Sequence, residues 1–138
     1  MAFDPRADYP LGARRPELVT TPGGLPLADV TLEAVEAGRI AVDDMRATPA
    51  TLQRQAQVAA AAGRAALAAN LERAAELASV PAELILEVYT ALRPHRSSAQ
   101  ELEALAARLE REHDAARSAA FVREAAAVCA RRGLLRDE

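Results

Sequence analysis

VYTALRPHRSSAQELEALAARLE, residues Val88 to Glu110, carries the reading that decides the fold. A run with helical periodicity stops at Arg-Pro-His-Arg and restarts at Ser-Ser. Pro94 lacks an amide proton and clashes with the turn before it, so the first helix ends near Leu92 or Arg93. Ser98 and Glu101 then stand in capping-box relation, each able to satisfy the other's orphan backbone donor at a new helix start. Leu102, Leu105 and Leu109 follow at helical spacing and predict a buried stripe. LRPHRSS therefore reads as a stiff corner between two helices.

The same grammar extends in both directions. PAELILEVYTAL is the helix before the corner, opened by Pro81, with Leu84, Ile85, Val88 and Leu92 on one side. A last helix, Ala115 to Arg132, is expected to bury Phe121, Val122, Ala125, Val128 and Cys129 and to end at Gly133. Further upstream, Thr48 reads as an N-cap with Pro49 at the first helical position, where its missing N–H costs nothing. The inward stripe there is Leu52, Ala56, Ala59, Ala60, Gly63 and Leu67, with Asn70 as a point of recapping before the pattern continues to Ser79. TLEAVEAG is a short helix from an N-cap at Thr31 to a glycine at 38, and VDDMR adds at most a turn. No internal repeat is evident, and no β pattern beyond what the N-terminal segment supplies.

The first thirty residues differ from the rest. Five of the eight prolines lie there (Pro5, Pro10, Pro16, Pro22 and Pro26), and TTPGGLP adds adjacent glycines. Proline biases its predecessor toward extended backbone, so this stretch is expected to be a non-helical arm. It nevertheless carries Tyr9, Leu11, Leu18, Val19, Leu25 and Leu27, more apolar residues than a solvated linker has. Such an arm lies against its own helices or against another subunit, and the second is expected. The chain thus reads as all-α: an extended Pro-rich arm over residues 1–30 and a small helical bundle over 31–138, a single domain overall.

Composition narrows the function classes. Seventeen basic residues oppose 20 acidic ones, so no global field draws the chain to nucleic acid or to an anionic membrane. No run approaches the roughly 18 apolar residues of a membrane span, and the N-terminus lacks a signal-peptide pattern. The lone cysteine, Cys129, excludes an internal disulfide framework and fits a reducing cytoplasm. Half of the residues are hydrophobic, but many are Ala, and each buried CH₂ contributes only about 0.8 kcal/mol. A lean core of closely approaching helices is expected, one that a partner would help to bury.

Candidate chemistry is sparse. His95, His113 and Cys129 fit no compact ligand spacing, so no metal site is expected. Asp43 and Asp44 point in different directions on a turn and make a poor acid–base pair; they read as carboxylates complementing a helix dipole. The glycines of PGG lack the Lys-Ser/Thr of a phosphate loop, and no serine has a His and an acid at hand. Arg93 and Arg96 flank Pro94, and a guanidinium forks two hydrogen bonds onto a carboxylate or phosphate. Structural salt bridges are their default reading and interface contacts the alternative; aromatic platforms for nucleic acid are missing. No catalytic, cofactor-binding or metal-binding residue is assigned.

Several strings together are specific: YPL at Tyr9, RPE at Arg15, TPGGLPLADVTLE from Thr21, DMR at Asp44 and TLQRQAQ from Thr51. NLERAAELASVP from Asn70, ILEVYTALRPHRSS from Ile85 and AAFVREAAAV from Ala119 continue the series almost end to end. The chain resembles the small (gamma) subunits of adenosylcobalamin-dependent diol and glycerol dehydratases. That resemblance implies an accessory helical subunit, not itself catalytic, packed on the large (alpha) subunit of a dimer of heterotrimers that also contains a medium (beta) subunit. The enzyme removes water from a 1,2-diol or glycerol and yields an aldehyde, through an adenosyl radical formed by homolysis of the cobalt–carbon bond. Adenosylcobalamin lies between the large and medium subunits, and the substrate pocket with its metal ions sits in the large one, so which diol is preferred is not written in this chain. Position 95, often aromatic in this family, is His here, which argues against a catalytic role. A cytoplasmic location is expected from the lone cysteine and from the lack of a membrane-span or signal-peptide pattern. Relatives housed in the lumen of bacterial microcompartments often have longer N-terminal extensions, and only eight residues precede YPL, so self-encapsulation is not expected. The residues expected at a partner interface are Tyr9, Leu11, Leu18, Leu25, Leu27, Arg93 and Arg96. The rival reading is a stand-alone helical adaptor or regulator.

Overall fold

Thr48 opens the first long helix of the computed structural model, which describes residues 2–136. Its hydroxyl accepts the Thr51 N–H at 3.2 Å and Pro49 occupies the first turn, so α3 runs from Pro49 to Ala61. Two short helices precede it, α1 (Leu11–Arg14) and α2 (Leu32–Glu36); α2 is capped by Thr31, which accepts from the Ala34 N–H. After α3 come α4 (Ala65–Leu77), α5 (Ala82–Ala91), α6 (Ala99–His113) and α7 (Ala116–Arg131). The described residues contain no strand, only an isolated antiparallel bridge between Thr20 and Pro26. The fold is all-α. By contact the chain divides into two compact units, the first ending at Ala78 and the second beginning at Ser79.

In the first unit α3 and α4 form a helical hairpin. Every fully buried residue on these two helices is alanine: Ala56 and Ala59 on α3, Ala68 and Ala75 on α4. Small side chains trade burial energy for close backbone approach. The hairpin turns at Gly63, in left-handed backbone at φ 75°, and the Arg64 N–H returns to the Ala59 carbonyl at 2.8 Å. The expected stripe running through Gly63 to a recap at Asn70 is therefore corrected. The break comes at Gly63, and Asn70 lies inside α4, where it accepts from Arg73 Nη2. A glycine that continues a helical pattern can equally end it, and here the left-handed conformation decides. Leu67 consequently sits on α4, exposed, while Leu52 is half-buried and Ala60 exposed.

The N-terminal segment does not run extended throughout. It contains α1 and 3₁₀ turns at Pro16–Leu18 and Leu27–Asp29. Pro10 and Pro16 stand at or just before the first position of such turns, where a fixed φ starts helical backbone rather than breaking it. Between the turns, a tight reversal carries the Thr21 N–H to the Leu25 carbonyl and the Leu27 N–H to the Val19 carbonyl, with Gly24 at φ 86°. Arg54 Nη1 on α3 donates to the Leu18 carbonyl at 2.8 Å and ties the segment to the hairpin.

The second unit packs α6 against α5 and α7. Leu84 and Val88 of α5 are buried, as are Leu102, Leu105, Ala106 and Leu109 of α6 and Ala119 and Val122 of α7. The chain reverses between α6 and α7 at Asp114, in left-handed backbone at φ 52°, and the Ala115 N–H donates to the Leu109 carbonyl. Phe121, expected in the core, is 45% exposed. At about 100° per residue it lies some 200° around the helix from Ala119, on a different face, and the small residues Ser118 and Ala119 let α7 approach closely instead. Ala125, Val128 and Cys129 are half-buried. Arg123 links Glu103 and Glu110, and Arg108 links Glu87 and Glu112, as exposed ion pairs over this core.

Candidate partner interface

The corner after α5 is built from four constraints. Pro94 ends the helix, and His95 adopts left-handed backbone at φ 59°, a conformation that histidine tolerates better than most residues. The Ser98 hydroxyl accepts the Glu101 N–H at 3.3 Å, and the Glu101 carboxylate accepts the Ser98 N–H at 2.8 Å. That N–H foremost, then Arg136, holds the Glu101 carboxyl below its usual range. The fourth constraint is the C-terminal tail. His95 N–H donates to the Leu134 carbonyl at 2.8 Å, and Arg136 N–H donates to the Ser97 carbonyl at 3.0 Å. Arg136 Nη1 donates to the Arg96 carbonyl at 2.9 Å, and Nη2 to Glu101 at 2.7 Å.

Arg93 and Arg96 are exposed on this corner, and neither side chain has a carboxylate partner among the described residues. Their default reading as structural salt bridges is thus not the arrangement seen. His95 Nδ1 lies 3.4 Å from the Leu135 carbonyl, and among the described residues no three His, Cys, Asp or Glu side chains gather as metal ligands. Tyr9 is 59% exposed and Leu27 is exposed, Leu18 and Leu25 are half-covered, and Leu11 is buried within its own unit. A groove of about 910 Å³ runs beside the arm, between Tyr9, Leu11 and Val19 and the α3–α4 residues Val58, Leu67 and Leu71.

Two features escaped the sequence reading. The tail clasp had no local signal, because its partners are some 40 residues away. Asp44 is the other: beyond its expected place in the first turn of a short 3₁₀ stretch (Val42–Met45), where it accepts the Ala41 N–H at 3.0 Å, it accepts from the Thr21 hydroxyl at 2.7 Å and the Gly23 N–H at 3.2 Å. These donors, Thr21 first, hold its carboxyl below the ordinary range. The strings TPGGLP and DMR are thereby one structural feature, a turn locked onto a carboxylate.

The sequence profile of the dehydratase small subunit family matches residues 5–136. The chain belongs to that family. A propanediol dehydratase small subunit of Citrobacter freundii is 50% identical over 131 residues, covering 95% of this chain and 76% of that protein. Another, from Salmonella typhimurium, is 49% identical over 132 residues, covering 96% and 76%. As a dehydratase small subunit the chain is an accessory component of a multi-subunit lyase, and its surface has partner subunits to meet. Among the described residues no helix is long and apolar enough to cross a membrane.

Proposed function

We propose that the chain is the small subunit of an adenosylcobalamin-dependent diol or glycerol dehydratase, packing on the large subunit within a dimer of heterotrimers that includes a medium subunit. The identity to propanediol dehydratase small subunits over nearly the whole chain carries this reading. When bound, adenosylcobalamin supplies the radical chemistry. No residue of this chain is assigned to it. The resemblance to these dehydratases assigns the cofactor to the large and medium subunits, and no reaction step is routed through this one. Its work is assembly.

The expected contacts are the arm, through Tyr9, Leu18, Leu25 and Leu27 over the buried Leu11, and the corner, through Arg93 and Arg96. Support comes from the exposure of Tyr9 and Leu27 and from the groove that the arm leaves beside α3 and α4. Co-expression with the large and medium subunits is expected to yield a stoichiometric complex that dehydrates propane-1,2-diol, while the isolated chain with adenosylcobalamin and the same diol yields no aldehyde. Turnover by the isolated chain overturns the accessory reading.

A further inference from the structure

Leu86 and Tyr89 on α5 are 67% and 61% exposed, a large apolar side chain and an aromatic ring facing solvent. They lie three residues apart on one face of the helix, and Arg93 follows two residues past its end at Ala91. From Val88 to Gln100 there is no acidic residue. The carboxylates bordering this stretch are already engaged: Glu87 by Arg108 at 3.0 Å, and Glu101 by Ser98 and Arg136. Glu83 shares the stripe with Leu86 but stands in the first turn of α5, at the opposite end of the helix from Arg93. A chain of net charge −3 therefore presents two guanidiniums that its own described residues do not neutralise, next to a tyrosine and a leucine.

We propose that the Leu86–Tyr89 stripe and the Arg93–Arg96 corner form one docking surface for a carboxylate-bearing segment of the large subunit, with the C-terminal tail holding the corner in its binding geometry. The proposal rests on the small-subunit reading above and adds which face meets the partner and what chemistry the partner brings. Arginine forks match carboxylates, and tyrosine and arginine are the residues that anchor protein interfaces. The charge is complementary only to an acidic partner. The tail supplies preorganisation: Leu134 accepts the His95 N–H, and Arg136 holds the Arg96 carbonyl, so the peptide units between the two arginines are ordered before binding.

The test is the dissociation constant between this chain and the co-expressed large and medium subunits, read at two salt concentrations. Arg93→Glu combined with Arg96→Glu is expected to weaken binding about thirtyfold or more, and Tyr89→Ala about tenfold. Arg136→Ala is expected to weaken it about three- to tenfold, with faster amide exchange at His95 showing that the corner has loosened. Wild-type affinity should fall as salt rises. These side chains are exposed, so the thermal midpoint of the free chain should hold, separating binding loss from misfolding. Wild-type affinity in all these variants overturns the surface while the small-subunit reading stands. Failure of the wild-type chain to bind the large subunit overturns both. If Tyr89→Ala instead dissolves a homodimer of this chain, the occupant is a second copy and the proposal fails.

Discussion

Arg136 Nη2 lies 2.7 Å from Glu101 Oε1, so the chain's C-terminal tail grips the same carboxylate that caps α6 at Ser98. One side chain near the end of the chain thus joins a helix start to the corner before it. The pair is half exposed, and solvent and salt screen such pairs so that they add little to global stability. Its effect is local order.

Arg136→Ala is accordingly expected to leave thermal stability nearly unchanged while accelerating amide exchange at His95, whose N–H donates to Leu134. Hydrogen exchange by mass spectrometry or NMR checks this. Unchanged protection at His95 would show that the tail stays docked without its guanidinium.

Ser98→Ala removes the hydroxyl that accepts the Glu101 N–H. Loss of such a cap costs about 1 kcal/mol. Chemical denaturation should report this as a lower midpoint with an unchanged slope.

Gly23→Ala tests the turn locked onto Asp44. A Cβ at this position would stand 2.5 Å from Asp44 Oδ1, too close to be accommodated without displacing the carboxylate from Thr21 and Gly23. A cost of about 1–3 kcal/mol is expected, as for other overpacked sites. Gly23→Ala combined with Asp44→Ala should lose little beyond Asp44→Ala alone, because the clash and the lock share one side chain.

The same carboxylate contributes to an acid limb, alongside Asp4, Glu17, Glu33, Glu101 and Glu103, whose carboxyls are also held low. Asp44 and Glu101 both titrate below their ordinary values of 3.8 and 4.5, so the native state binds fewer protons than the unfolded chain in that range. Their contribution is present above those values and is lost as pH falls through the depressed native ones. Thermal midpoints of the free chain should be flat from neutrality to about pH 5 and fall below it. Asp44→Asn should lower the plateau and flatten the fall. An acid limb of unchanged steepness in Asp44→Asn would assign it to other carboxylates.

Deleting residues 2–27 is expected to weaken assembly with the large subunit more than it lowers helicity, since the long helices begin at Pro49. Circular dichroism and stoichiometric co-purification measure the two effects. A truncated chain that co-purifies normally removes the arm from the interface.

The local grammar of the chain determined where most helices begin and end. Thr31, Thr48 and the Ser98–Glu101 box act within one turn of backbone, and proline restricts its neighbours wherever it stands, so these signals survive without a fold around them. The buried stripe of α6 was legible for the same reason, being large leucines at helical spacing. The alanine-rich helices were not. When nearly every face is small, periodicity stops distinguishing inside from outside, and the break at Gly63 and the exposure of Phe121 were set by which helix came close. The two polar locks belong wholly to tertiary structure. Asp44 meets Thr21 across 23 residues and Arg136 meets Glu101 across 35, and no local pattern encodes which carboxylate a distant hydroxyl or guanidinium will find once the chain has closed the loop between them.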